Sequence, residues 1–437
     1  FDLVSCLIFH YTLTMSELAQ ALEQLVDSNI FIAVEGTVSK RLIIIGGNKR
    51  VQIDLSSDRS QLAEQLGEID FYINDPNKVL IGWDLKNLFS HVGNVLGLKY
   101  DLDSNLLDLK VLECFFGVFE KAPESFKTAQ SRLVSIMQDA NWDKLKYIYK
   151  NIYLPLITSV IPDIENAGII HTKNRLKLNS YYEILGQVNG RSKCSKFSDK
   201  SFNPHSINES DRELFRPAGF DEIFMYIDFN HQEVSMLQWL SDDPELGKNL
   251  ATGQDLYNTI WRDITTLEPT PDSRRICKGI FLPVIFGQGA KSLSKRLGIP
   301  FDVANKLITK IQNKYSVALE YVAKQIVKDD GYALDHYGKK RFFGEQDYRI
   351  RNFVIQSPAS TVCLHKLVML HREIKDARIA MHVHDGYIFY VRPSDCRKVY
   401  NLSKDILESD DDNLYPNLKL KISCEIGKNL NDMKPIN

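Results

Sequence analysis

The chain holds 437 residues, 44% of them hydrophobic and 25% charged, which is the composition of an ordinary globular protein with more than one compact core. With 54 basic against 56 acidic residues the net charge is −2, which excludes a uniformly basic surface but not a local basic cleft. Seven dispersed cysteines with no C-x-x-C pair exclude a zinc ribbon and a dithiol redox motif, and suit a reducing cytosol.

Residues 1–14 are moderately apolar but carry Asp2 and His10 and no Lys or Arg, so they lack the positive start of a signal peptide. Met15 is a candidate start, which would make 1–15 an N-terminal extension. No run approaches about 20 uninterrupted apolar residues, so no membrane span is expected. Leu18, Leu22 and Leu25 recur at helical spacing over 16–28. Short strands are predicted at Ile30–Val34, Leu42–Ile45 and Val51–Leu55, punctuated by Gly36 and Gly46–Gly47. Val79–Gly82 is a further strand, leading into a helix over Lys86–Val92, and Leu106–Phe116 reads as another helix. These elements make a small α/β domain ending near Pro123.

From 124 to 190 the pattern is helical and polar. Lys127, Arg132, Lys144, Lys146 and Lys150 run along it, interleaved with Tyr147, Tyr149 and Tyr153. Taken alone this is a solvated helical pair. A polar, turn-rich linker containing Arg191 covers roughly 189–212, and beyond Phe220 the segments become longer and more regular.

Three segments carry chemistry. Ile223–Asp228, "IFMYID", is an apolar strand ending in an acid, and the helix after it carries Val234, Leu237 and Leu240 on one face. Met381–Val391, "MHVHDGYIFYV", is a hairpin with His384, Asp385 and Gly386 at its tip. Each by itself is a capped strand or an ordinary turn. Two acids on neighbouring strands are, however, what phosphoryl transfer with metal ions about 4 Å apart requires. Mg²⁺ takes only one or two protein carboxylates, so the signature is sparse. The third segment places Arg274, Lys278, Leu282 and Phe286 at i, i+4, i+8 and i+12 of a helix. Two cations followed by two apolar residues suit a nucleoside triphosphate, although basic residues at a helix start oppose its dipole.

In this order, the segments resemble motifs A, B and C of family-A DNA polymerases, the bacterial DNA polymerase I and phage replicative type. "DFNHQEVSMLQWLS" is similar to motif A (D-Y-S-Q-I-E-L-R), "RRICKGIFLPVIFG" to motif B (R-x-x-x-K-x-x-x-[FYL]-x-x-x-Y-G) and "HVHDGYIFYV" to motif C (V-H-D-E). "NFVIQSPASTVCLHKL" resembles the template–primer segment between B and C, and "NGRSKCSKFSDKSFNP" the family's G-R-L-S-S segment. The likeness spans roughly 186–437.

The resemblance implies that Asp228 and Asp385, helped by the backbone carbonyl of Phe229, hold two Mg²⁺ ions. Glu233 would be the steric gate against a ribose 2′-hydroxyl. Arg274 and Lys278 would grip the triphosphate, with Lys278 placed to protonate the leaving pyrophosphate. Leu282 and Phe286 would pack on the incoming sugar and base. Tyr257 stands where a His usually lies near the β-phosphate, and Gly287 would let the template base turn. Arg191, Asn352, Gln356 and His384 would contact primer–template DNA.

Four departures stand out. Leu282 replaces an aromatic residue, Phe286 lacks a hydroxyl, Gly386 replaces the motif C Glu, and Pro283 should kink the nucleotide-binding helix. The first domain resembles an RNase H-like 3′–5′ exonuclease, with "VLIGWDLKNLF" similar to its second motif. Its acids are mostly missing: Ala33-Val34-Glu35 stands for Asp-x-Glu, and Leu88 for an Asp.

The expected architecture is therefore a mixed α/β, right-hand polymerase fold behind a degenerate exonuclease-like domain over 16–122. The polymerase domain would cover 123–437, with thumb about 123–185, palm about 186–250 and 345–437, and fingers about 251–344. The expected activity is DNA-directed DNA synthesis from dNTPs on a primer–template, in phage-type replication without proofreading, in the cytoplasm of a bacterial or phage-infected cell. The reduced thumb implies a weak grip or a processivity factor. Rivals are a single-subunit RNA polymerase, which Glu233 as gate opposes, and a non-catalytic DNA-binding scaffold.

Overall fold

The computed structural model describes residues 30–35, 41–46, 49–54, 79–86, 105–118 and 126–436, except 174, 188, 197–199, 266, 328–329 and 344–348. Residues 1–15, the helix expected over 16–28, most of that expected over Lys86–Val92, Leu88 and the Glu35 side chain lie outside the described set.

The N-terminal unit is built on one mixed sheet. Strands β1 (Ile30–Glu35), β2 (Arg41–Gly46) and β3 (Lys49–Asp54) form an antiparallel meander. β4 (Val79–Trp83) and β5 (Asn105–Asp108) extend it in parallel beyond β1, giving the order β3-β2-β1-β4-β5. The helix expected over Leu106–Phe116 is thus half wrong. Leu106 and Leu107 pair with Leu80 and Ile81 in β5, and helix α1 begins only at Leu109–Phe115. Asp108 sets that boundary, because its side chain accepts from the Lys110 and Val111 amides as an N-cap.

The segment expected as a solvated helical pair is largely interior. Helices Phe126–Met137 and Trp142–Ile148 run on through two wide π turns, Tyr149–Tyr153 and Leu156–Val160, to Ile161–Ala167. Lys144, Lys146, Tyr147 and Lys150 are exposed. Leu145, Ile148, Tyr149, Ile152 and Tyr153 are fully buried on the opposite side. The buried side packs on α4 (Arg349–Glu373), and Lys339 locks it there by donating to the hydroxyls of Tyr153 (2.8 Å) and Thr361 (2.7 Å).

The second large sheet is antiparallel. Its centre is β6 (Ile223–Phe229), flanked by β8 (Gly386–Val391) and β9 (Ile422–Gly427). β7 (Ala377–Val383) and the short β10 (Lys434–Pro435) close the order β7-β8-β6-β9-β10. α4 is long and apolar enough to cross a membrane by length and composition, but its apolar window is 83% buried inside the chain, as in a core helix. α2 (Gln232–Ser241) follows β6 and packs on α4. Helices Leu256–Thr265 and Phe301–Lys314 pack on α3 (Pro271–Ile285). Among the described residues, most buried side chains form one continuous core from Ile81 of β4 to Cys424 of β9, and a smaller separate cluster includes Phe224, Ile388 and Tyr390.

Candidate active site

Strand alternation determines what β6 can present. Met225, Ile227 and Phe229 are buried, while Tyr226 and Asp228 share the half-open face. Asp228 lies opposite Gly386 on β8. The β7–β8 hairpin turns on only two residues, His384 and Asp385, because Val383 already pairs with Gly386. His384 holds the turn in the left-handed region, φ +58°. This register brings Asp385 beside Asp228.

Burial, then the charge of Asp385, pushes the Asp228 carboxyl up to about 7, while Tyr226, the Phe229 amide and Lys278 act to lower it. Asp228 Oδ1 is buried with no hydrogen-bond partner. Among the described residues no cluster of three or more His, Cys, Asp or Glu assembles a metal cage. An orphaned carboxylate oxygen facing a second carboxylate fits a hard divalent cation, which prefers oxygen and needs few protein ligands.

Both acids line a cavity of about 360 Å³, together with Arg191, Phe229, Glu233, Tyr257, Lys278, Leu282 and His384. Nine sequence-predicted residues therefore converge on one space. Arg274 does not line it. Its Nε donates to Asp255 (2.7 Å), and its guanidinium lies 5.9 Å from the centre of the Tyr257 ring. Phe286 is the C-cap of α3 and packs against the core, and Gly287 follows with φ +94°. A Cβ at Gly287 would approach the Arg351 side chain to 3.1 Å.

Asn352 and Gln356 lie one turn apart on α4. Asn352 Oδ1 is buried without a partner. Gln356 donates to Glu233 Oε1 (2.8 Å) and accepts from Asn189 (2.8 Å), while Arg191 pairs with the same Glu233 oxygen at 2.9 Å. Glu233 is thus held from the side of Arg191 and α4.

α3 accommodates both of its unfavourable features. Its basic start is offset by Asp272 and by a reciprocal cap between Thr270 and Ser273. Pro283 does not interrupt the helix, which runs on to Ile285. The Gly279 carbonyl, which a Pro283 amide would have bonded, accepts instead from the Arg296 guanidinium of the next helix.

Sequence reasoning missed three residues at the site. His231, left-handed at φ +56°, caps α2 and meets the Tyr257 ring edge-on at 5.1 Å. Gln232 is buried, donating to Cys363 Sγ (2.8 Å) and the Ala359 carbonyl (3.3 Å). Tyr226 was detectable from the period of two that aligns it with Asp228.

A family model described as DNA polymerase family A matches residues 187–432. The chain belongs to that family. It is 25% identical over 308 residues to DNA polymerase I of Chloroflexus aurantiacus, covering 63% of this chain and 30% of the relative. It is 24% identical over 405 residues to DNA polymerase I of Borreliella burgdorferi, covering 86% and 39%. This family-A chain thus spans between a quarter and a half of the length of those two relatives. A solved structure, the POL domain of Pol1 from M. smegmatis in complex with DNA primer-template and dNTP, matches with a TM-score of 0.72 at 15% identity. The match covers 96% of this chain and 99% of that one, so the two share a fold.

Proposed function

We propose that the chain is a DNA-directed DNA polymerase that extends a primer 5′→3′ from dNTPs by phosphoryl transfer. The observation that carries the reading is the unpartnered Asp228 oxygen beside Asp385, in a cavity that also holds Lys278 and Glu233. Asp228, Asp385 and the Phe229 carbonyl would hold two Mg²⁺ ions, which when bound stabilise charge on the attacking and leaving oxygens. Lys278 neutralises the triphosphate and donates a proton to the pyrophosphate oxygen. Arg274 exchanges Asp255 for phosphate when the nucleotide enters. Glu233 closes the sugar pocket, Leu282 and Phe286 form its apolar wall, and Tyr257 borders the phosphates.

Primer–template DNA is gripped by Arg191, Asn352, Gln356 and His384, with Gly287 leaving room for the template base. Contacts to phosphates make the binding salt-sensitive and indifferent to sequence. The domain division is a palm on β6–β10, fingers around α3, and an exonuclease-like remnant on β1–β5 that does not proofread. The helices of 126–167 are spent on the core, so little is left to project as a thumb, and a processivity partner in a phage-type cytoplasmic replication system supplies the grip.

The test is extension of a labelled primer–template with Mg²⁺ and each dNTP, wild type against Asp385→Ala. Templated extension abolished by the substitution is expected. No extension with retained DNA binding would instead favour a non-catalytic scaffold, and equal use of ribonucleotides an RNA polymerase.

A further inference from the structure

Tyr226 stands two residues before Asp228 on β6, on the same face, with Ile388 of β8 and Glu425 of β9 as its register neighbours. Its ring leans across the sheet onto Gly386. A Cβ built on Gly386 would lie 2.5 Å from the ring Cε2 and 2.7 Å from the phenolic oxygen, so no side chain fits at 386 while the ring is there. Gly386 is the residue paired directly opposite Asp228, so the phenolic oxygen sits beside the Asp228 carboxyl, whose Oδ1 still has no partner. The same ring walls a second cavity of about 480 Å³, which shares His384 with the first. Tyr226 therefore fills the space that a residue-386 side chain would otherwise take.

We propose that Tyr226 is a positioning residue for Asp228: the phenol, admitted by the bare glycine at 386, holds the carboxyl so that one oxygen stays free toward Asp385. The inference rests on the two-metal reading above. A phenol O–H donates to a carboxylate without bringing a further negative charge to the pair. Hydrogen-bonded partners behind a ligand carboxylate govern its orientation and hence its metal affinity. The arrangement also makes positions 226 and 386 a coupled pair, since any side chain at 386 must displace the ring.

The test is direct Mn²⁺ binding to the full chain with primer–template, followed by electron paramagnetic resonance, with thermal unfolding of each variant alongside. Tyr226→Phe is expected to weaken Mn²⁺ binding about tenfold with little change in unfolding temperature. Gly386→Ala should weaken it similarly by displacing the ring, and the two substitutions together should cost far less than the sum of their separate effects. Should Tyr226→Phe fail to fold, Gly386→Ala carries the test, because it keeps the phenol. Wild-type affinity in either folded variant, with binding lost in Asp228→Ala, overturns the positioning role and leaves the two-metal reading intact. Wild-type affinity in Asp228→Ala overturns both.

Discussion

Asp108 in the N-terminal sheet and Asp228 in the second large sheet are close counterparts. Each lies at or next to the end of a strand, and burial followed by a neighbouring acid, Asp84 or Asp385, raises each carboxyl to about 7. Their partners separate them. Asp108 accepts from the backbone amides of Asp84 (3.2 Å), Leu85 (2.8 Å), Lys110 (3.0 Å) and Val111 (3.4 Å), so its oxygens are spent on joining β4 to α1. Lys110 also pairs with Asp84 at 3.1 Å. Asp228 keeps one buried oxygen unsatisfied on the wall of a cavity. A perturbed carboxyl marks both places; of the two, an unsatisfied oxygen open to a ligand marks only Asp228.

The sharpest way to break this comparison is to remove each acid. Asp228→Ala should lower templated extension by roughly a thousandfold or more, the scale on which lost preorganised charge stabilisation acts. Asp108→Ala should leave extension by the folded protein intact, while destabilising it by about 1–3 kcal/mol through a lost cap and orphaned amides. Chemical denaturation and primer extension on both variants check this, and lost extension in a fully stable Asp108→Ala would dissolve the distinction.

Lys278→Ala comes next, with a drop in kcat of about a hundredfold for loss of the proton donor to pyrophosphate. Single-turnover incorporation measures it, and a change confined to KM would reduce Lys278 to a binding role. Glu233→Ala should relax the preference for deoxynucleotides by roughly tenfold or more, the scale of discrimination by pocket shape. Competing dNTP and rNTP incorporation reads the ratio. The Arg191 and Gln356 bonds to Glu233 predict that Gln356→Ala relaxes selectivity in the same direction by less.

The smallest effect is on stability against pH. Asp228 binds its proton up to about 7 when folded, against a reference of 3.8, so the folded state holds the extra proton between those values. Stability of the metal-free chain therefore falls as pH rises through that window. Asp228→Asn removes the penalty and should raise Tm at pH 8 by roughly 2 °C, a gain that fades toward pH 4. Mg²⁺ should raise the wild-type Tm and not that of the variant. Calorimetry at the two pH values, with and without Mg²⁺, checks the sign.

Much of this site was legible in the amino-acid order, because chemistry restricts residue type more tightly than packing does. Asp228, Asp385 and Lys278, singled out from the sequence because few other side chains suit a hard cation or a triphosphate, line one cavity in the folded chain. Strands β1 to β4 of the first sheet were legible too, because β-branched and apolar runs between glycines have few alternatives. Leu106–Phe116 was not, since a short apolar run suits a strand or a helix until β4 is beside it. Nor was the burial of Tyr149 and Tyr153, which depends on wide turns and on α4, a partner two hundred residues away. Only tertiary structure decided that Arg296 takes the carbonyl left open above Pro283, that Arg191 and Gln356 hold Glu233, and that the Tyr226 ring fills the place of a side chain at 386. Residue type and local spacing are written in the sequence, whereas satisfaction of a hydrogen bond or occupation of a space depends on whatever the folded chain brings alongside.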